Sequence, residues 1–92
     1  MRTDEIHELV YTALKEIIRE AKGTMVTVTP KKIAERIGFD TKPITLTIIR
    51  HYLEEILLKD KANRQGVWIH KTSHGKKYRI TSKARIWVEA KR

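Results

Sequence analysis

Residues 30–58 read PKKIAERIGFDTKPITLTIIRHYLEEILL and contain two helical patterns separated by a Gly-Phe-Asp-Thr corner. The first pattern has a strong start, because Thr29 can cap the helix and Pro30 suits its first position. It ends at Gly38, which favours the left-handed conformation that often terminates a helix. The second helix has Pro43 in its first turn or at its first position, since the residue before a proline is biased away from helical geometry.

The second helix carries one apolar stripe, in which aliphatic residues recur at steps of three, four and three. A wheel drawn at about 100° per residue places Ile44, Thr47, Ile48 and His51 opposite that stripe. Two short helices joined by a glycine-containing corner, the second one longer, predict a helix-turn-helix. The residues of the stripe are Leu46, Ile49, Leu53 and Ile56.

Two runs of sequence resemble winged helix-turn-helix proteins. The run IRHYLEEI, residues 49–56, is similar to the second helix of that motif. In such helices an aliphatic residue is followed by two variable residues, a polar or aromatic residue, a leucine and, three residues later, another aliphatic residue. The run YRITSKA, residues 78–84, resembles the Tyr-x-Leu-Thr-x-x-Gly end of the wing in many archaeal and bacterial winged-helix regulators, with Ala84 in place of the usual glycine. The resemblance covers residues 24–91 and implies a β-hairpin wing after the helix-turn-helix.

The flanking segments complete an α+β fold. Residues 59–66 are interpreted as a polar connector. We predict one winged helix-turn-helix domain, residues 1–92, in the order α-β-α-α-β-β-α, with a three-helix core and a small antiparallel sheet. The other predicted elements are a helix over 4–22, a strand over 25–29, strands over 67–71 and 76–81, and a helix over 83–90 that Ser82 can cap.

The predicted register of the hairpin depends on its turn. If the turn centres on His74 and Gly75, Ile69 pairs with Ile80, and one face of the hairpin is apolar. The other face is then polar and basic, as a wing that contacts nucleic acid would need, and a slip of one residue would reverse the faces. The apolar face holds Val67, Ile69, Tyr78 and Ile80, and the other face holds His70, Thr72, Lys77 and Arg79.

The net charge of +9 comes from one part of the chain. Residues 1–58 contain nine basic and nine acidic residues, whereas residues 59–92 contain eleven basic residues and only Asp60 and Glu89 as acidic ones. A basic half joined to a neutral half indicates a polyanionic partner, of which nucleic acid is the default. A solvated basic surface is the alternative interpretation.

Composition and motifs argue against several function classes. The chain has no Cys, which excludes disulfides, thiolate catalysis and thiolate metal sites. It lacks a nucleophile motif, a phosphate-binding glycine loop and a His-x-x-x-His pattern on a helix, so we expect no enzyme activity, cofactor or metal. No apolar segment is long enough for a membrane, and the acidic residues near Met1 do not fit a signal peptide, so we expect a cytoplasmic protein. Abundant Ile, Lys, Arg and Glu are typical of a thermophile.

The resemblance and the charge together predict a double-stranded DNA-binding protein, either a small transcriptional regulator or a chromatin-associated factor at the nucleoid. The resemblance implies that helix 43–58 enters the major groove and that the basic wing, residues 67–81, lies on the DNA backbone. Glu54 and Glu55 would repel phosphate, so the C-terminal half of that helix should point away from the duplex. The predicted nucleic-acid-binding residues are Lys42, Thr47, Arg50, His51, Lys71, His74, Lys76, Lys77 and Arg79.

Two alternative functions stay open. One is an RNA-binding or ribosome-associated winged helix, which would use the same basic surface. The other is a winged helix that makes protein contacts in a larger assembly, for which the pair Ile44 and Ile48 is suited. We also predict a homodimer, formed through the apolar stripes of the first and last helices.

Overall fold

A computed structural model describes residues 3–73 and 75–92 of the protein, which form five helices and one three-stranded antiparallel sheet. The α+β class is therefore as predicted. No described helix combines the length and the apolar character that crossing a membrane requires. The elements are α1 (Thr3–Glu20), β1 (Met25–Val28), α2 (Pro30–Ile37), α3 (Pro43–Leu58), α4 (Lys61–Arg64), β2 (Val67–Thr72), β3 (Gly75–Thr81) and α5 (Arg85–Lys91), with strand order β1-β3-β2.

The pair α2 and α3 has the predicted bounds and termini. Thr29 Oγ1 accepts a hydrogen bond from the Lys32 N–H at 3.1 Å, which satisfies one of the donors left open at a helix start. Gly38 ends α2 at φ 90°, a left-handed conformation that costs other residues roughly 1–2 kcal/mol. Pro43 begins α3, and Lys42 before it is extended.

Asp40 fixes the corner between α2 and α3. Its Oδ1 accepts hydrogen bonds from Thr45 Oγ1 at 2.6 Å and from the Lys42 N–H at 3.0 Å. The bond from Thr45 first, and that from Lys42 second, hold the pKa of the Asp40 carboxyl below its usual value. Asp40 therefore stays charged and links the corner to Lys42 and Thr45 at the start of α3, although no side chain caps that helix.

The apolar stripe of α3 faces the core, as the helical wheel predicts. Leu53 and Ile49 are fully buried, whereas Ile44 and Ile48 on the opposite side are 71% and 43% exposed. One cluster of buried residues joins α3 to α1, α2, α5 and the inner face of the sheet. The side of α3 that turns away from this core is the side on which the nucleic-acid contacts are predicted.

The first and last helices pack against each other within the chain. The Tyr11 hydroxyl of α1 donates a hydrogen bond to Glu89 of α5, which raises the pKa of Tyr11 to about 12. Arg19 Nε donates to the Ala90 carbonyl at 2.9 Å. Much of both apolar stripes is buried in the core cluster of the chain. The homodimer through these helices stays a prediction. The buried members are Val10, Ala13, Leu14, Ile18, Ile86, Trp87 and Ala90.

The register of the hairpin differs from the prediction by two residues. Ile69 pairs with Tyr78 rather than with Ile80, because Thr72 pairs with Gly75 and the turn lies one residue earlier than predicted. Gly75 is thus the first residue of β3, where it has φ 130°. A shift of two residues preserves the alternation of side chains, so the two predicted faces are retained.

The segment predicted as a connector, residues 59–66, contains the one-turn helix α4, so the observed order is α-β-α-α-α-β-β-α. Asp60 caps α4 by accepting from the Ala62 N–H at 2.9 Å. Asn63 is the one buried polar residue in the described part of the chain. Its Nδ2 donates to the Ile56 carbonyl at 3.0 Å, and its Oδ1 accepts from the Ile86 N–H at 2.6 Å. Asn63 thereby ties the end of α3 to the start of α5.

The last helix begins at Arg85, two residues later than predicted, and Ser82 does not cap it. The Ser82 N–H instead donates to the Thr24 carbonyl at 2.9 Å, which extends the pairing next to β1. A Cβ on Gly66 would lie only 2.3 Å from the nitrogen of Ala84, so glycine is required at this crossing. Two smaller corrections concern the ends of elements: α1 ends at Glu20 rather than at residue 22, and β1 ends at Val28 rather than at residue 29.

Candidate nucleic-acid interface

A groove of about 300 Å³ opens between the start of α2, the N-terminal half of α3 and the tip of the β2–β3 hairpin. It forms because β1 pairs with β3, and α2 follows β1 almost directly, so α2 begins beside the hairpin. We call it the α3–hairpin groove. Its described lining residues are Thr29, Pro30, Lys31, Leu46, Thr47, Arg50, Thr72, Gly75, Lys76 and Lys77.

The α3–hairpin groove is electropositive. Of its ten described lining residues, four are basic and none is acidic. Lys31 comes from the first turn of α2, at the positive end of the helix dipole, Arg50 from α3, and the other two from β3. A concave surface that gathers cations from three elements is suited to the phosphates of a nucleic acid. The four basic residues are Lys31, Arg50, Lys76 and Lys77.

One carboxylate, Glu54 of α3, holds Lys76. Glu54 Oε2 accepts hydrogen bonds from Lys76 Nζ at 3.2 Å and from the Tyr78 hydroxyl at 2.5 Å. Burial raises the pKa of Glu54, but the hydrogen bonds from Tyr78 and Lys76 outweigh burial and keep that pKa below its usual value. Glu54 is therefore charged at neutral pH, and it neutralises part of the charge that Lys76 would offer to a ligand.

The exposed face of α3 carries two of the predicted nucleic-acid-binding residues, Thr47 and His51. Thr47 lines the groove, and its hydroxyl donates to the Pro43 carbonyl at 2.9 Å, which leaves the lone pairs of Thr47 Oγ1 as acceptors. His51, one turn further along α3, is exposed, and its ring lies edge-on to Tyr52 at 5.3 Å. Lys42 is exposed just before α3. The fold thus places Thr47 in the groove and His51 beyond its described lining.

The predicted basic residues of the hairpin are divided between its two faces. Lys71 and Lys76 are opposite each other on the two strands, on the face that turns toward α3. Lys77 and Arg79 alternate onto the opposite face, although Lys77 also lines the groove at the hairpin tip. His74, the remaining predicted contact, lies outside the described residues. The hairpin therefore does not present one continuous basic surface.

Neither the place of Lys31 in the groove nor the pairing of Lys76 with Glu54 is predicted from the sequence. The predicted strand over 25–29 belongs to the small sheet and is followed almost directly by α2, and this short step was a signal that places Lys31 beside the sheet. No comparable signal existed for the ion pair between Lys76 and Glu54. These side chains are 22 residues apart, and their contact depends on how the sheet packs on α3.

Comparisons with protein-family models, with curated proteins and with solved structures found no match. Within residues 3–73 and 75–92, no group of three or more potential metal ligands occurs. The features available for a functional proposal are therefore the α3–hairpin groove, the exposed face of α3 and the distribution of charge around them.

Proposed function

We propose that this protein is a winged helix-turn-helix protein that binds double-stranded DNA, as a small transcriptional regulator or a chromatin-associated factor. The observation that carries the proposal is the α3–hairpin groove, where four basic residues lie beside the exposed N-terminal half of α3. In a helix-turn-helix protein the second helix of the motif reads the major groove. The order of α2, α3 and the β2–β3 hairpin supports the assignment of α3 as that helix and of the hairpin as the wing.

The proposed phosphate contacts are Lys31, Arg50 and Lys77. They line the same groove but come from α2, α3 and the hairpin, so a DNA backbone seated there would touch all three elements. Lys76 contributes less in this proposal, because it already forms an ion pair with Glu54 at 3.2 Å. The carboxylate of Glu54 also limits the contact to the N-terminal half of α3, since it would repel phosphate further along the helix.

The proposed base contacts are Thr47 and His51, which lie one turn apart on the exposed face of α3. Both side chains offer hydrogen-bonding groups to base edges, and base edges distinguish one sequence from another in the major groove. Ile44, 71% exposed on the same face, is suited to contact with a thymine methyl group. The combination of polar and aliphatic groups supports sequence reading rather than purely electrostatic attachment.

The proposal is tested by selecting ligands from random pools of duplex DNA and of RNA, followed by competition between the winners. We expect duplex DNA to compete better than structured RNA of equal length. If structured RNA competes better, the protein is an RNA-binding or ribosome-associated winged helix instead. Salt dependence is measured on the winners, because contacts with phosphate make affinity fall as salt rises.

Two double variants separate base reading from phosphate contact. Thr47→Ala with His51→Ala should cost about 1–3 kcal/mol of binding on a selected site and little on random duplex. Lys31→Gln with Lys77→Gln should weaken both complexes alike and reduce the slope of log K against log salt by about two units. If the charge variant loses discrimination while the helix variant keeps it, α3 is not the reading element.

Protein binding in a larger assembly is the second candidate function, favoured by the exposure of Ile44 and Ile48 at 71% and 43%. Ile48 also borders a shallow depression that includes Phe39. Exposed neighbouring aliphatic side chains of this kind often mark a contact surface. Failure to bind duplex DNA or RNA even at low salt would favour this candidate over nucleic-acid binding.

A further inference from the structure

The face of the sheet that turns away from the helices carries an exposed tryptophan beside two cationic residues. Alternation places Thr27, Trp68, His70, Lys77 and Arg79 on this side, which we call the outer face. Within it, Thr27, Arg79 and Trp68 form one row across β1, β3 and β2, and Lys77 and His70 form the next row. Neighbouring strands lie about 4.8 Å apart and successive rows about 7 Å apart, so these side chains form one small surface.

Trp68 is unusual in its exposure. It is 55% exposed, whereas Trp87, the other tryptophan of the chain, is 6% exposed and belongs to the core. A large aromatic side chain dominates the energetics of whatever surface it contacts, so a tryptophan left in water indicates a binding role. Met25, 50% exposed on the same side, extends the apolar part of this surface at the end of β1.

The charge of the outer face selects the partner. The outer face carries Lys77 and Arg79, and none of the three described strands contains an aspartate or a glutamate. Among the described residues, neither Lys77 nor Arg79 forms an ion pair with a carboxylate, in contrast to Lys76 on the inner side. A surface of this sign attracts a polyanion and repels another basic chain.

We propose that the outer face is a second nucleic-acid site, which binds single-stranded nucleic acid by stacking an unpaired base on Trp68 and holding the adjacent phosphates with Lys77 and Arg79. Aromatic side chains beside a basic surface are the arrangement by which proteins bind single strands with little sequence preference. An unpaired base can present its ring face to Trp68, whereas the bases inside a duplex are stacked on one another. The proposal does not depend on the duplex binding proposed for the α3–hairpin groove.

The test uses the fluorescence of Trp68 in the full chain, titrated with ten-nucleotide strands of oligo-dT and oligo-U. Stacking should quench Trp68, while the buried Trp87 gives a constant background. Trp68→Ala and Trp68→Leu should each weaken strand binding, measured by the anisotropy of a labelled strand, by about 5- to 150-fold. Trp68→Phe should retain most of the affinity because it keeps a ring. A preference between the two strands shows whether DNA or RNA is the better ligand.

Three controls decide the outcome. An abasic strand of equal length keeps the phosphates but lacks the bases, and it should bind more weakly and quench little. Binding of a DNA duplex should change little in Trp68→Leu, and circular dichroism should report an unchanged fold, because the side chain is exposed. Affinity for oligo-dT and oligo-U that is unchanged in Trp68→Leu, or an abasic strand that binds as well as a normal one, would overturn the proposal.

A further variant distinguishes the two sites. Lys31→Gln with Arg50→Gln alters the α3–hairpin groove and leaves the outer face intact. If the proposal holds, this variant keeps single-strand binding whatever happens to its duplex binding. If it loses single-strand binding while Trp68→Leu keeps it, the strand lies in the groove and the outer face is not a site.

Discussion

The two faces of the β2–β3 hairpin share the same strands but differ in how their charges are held. On the inner face, Lys76 is bound to Glu54 next to the buried ring of Tyr78. On the outer face, Lys77 and Arg79 are exposed beside Trp68. Consecutive lysines in the sequence therefore have different environments, because strand geometry sends them to opposite sides of the sheet.

This difference shows that a count of basic residues overestimates the charge available to a ligand. Part of the inner-face charge serves the fold, since Glu54 joins α3 to the hairpin through Lys76 and Tyr78. The outer-face charge has no such structural partner among the described residues. Substitutions on the inner face should therefore change stability first, and those on the outer face should change ligand binding first.

The largest expected effect compares two neighbouring residues of β3. Ile80→Ala should lower the free energy of unfolding by about 2–5 kcal/mol, because Ile80 is fully buried on the inner face. Arg79→Ala, one residue earlier on the exposed outer face, should change it by no more than about 0.5 kcal/mol. Urea denaturation of both variants measures the difference. Equal losses would show that the assignment of the two faces is wrong.

A smaller effect is expected for Glu54→Gln, which weakens the link between α3 and the hairpin. The loss at neutral pH should be about 1.5–3 kcal/mol, as for a hydrogen bond to a charged group. Because the pKa of folded Glu54 lies below the usual 4.5, its stabilisation is complete above that pH and is lost as pH falls through the folded pKa. The difference in stability between wild type and Glu54→Gln should therefore shrink in acid. A difference that stays constant from pH 7 to pH 3 would argue against this role.

The smallest expected effect concerns the salt dependence of duplex binding. Lys77→Ala should reduce the slope of log K against log salt by about 0.9 units, the value for one phosphate contact. Lys76→Ala should reduce it by less, because Glu54 already neutralises part of its charge. In a Glu54→Gln background the two lysine variants should become equivalent. If they are equivalent in the wild-type background as well, the ion pair does not limit Lys76.

The sequence predicts the parts of the fold that depend on local signals. Thr29, Gly38 and Pro43 set the termini of α2 and α3 by capping and by backbone restriction, and these termini are as predicted. The alternation of apolar and polar residues assigns both faces of the hairpin correctly. It does not assign the register, because the sequence predicts Gly75 as a turn residue, whereas Gly75 is the first residue of β3.

The remaining features depend on contacts between distant residues. Asn63 bonds to groups 7 and 23 residues away, and these bonds explain why a polar segment folds as α4. Gly66 is required by its close approach to Ala84, which no local pattern reveals. At the candidate site, Thr47, Arg50, Lys76 and Lys77 were predicted and line the groove, whereas Lys31 joins them only through the pairing of β1 with β3.

The central claim is that duplex DNA binds in the α3–hairpin groove, and the salt dependence of its affinity tests this claim most directly. For wild type, contact with four to six phosphates predicts a slope of log K against log salt of about −4 to −5. Lys31→Gln with Arg50→Gln should make the slope shallower by about two units, while Arg79→Gln on the outer face should leave it nearly unchanged. A wild-type slope near zero, or a slope that responds to Arg79→Gln and not to the groove variant, would contradict the claim.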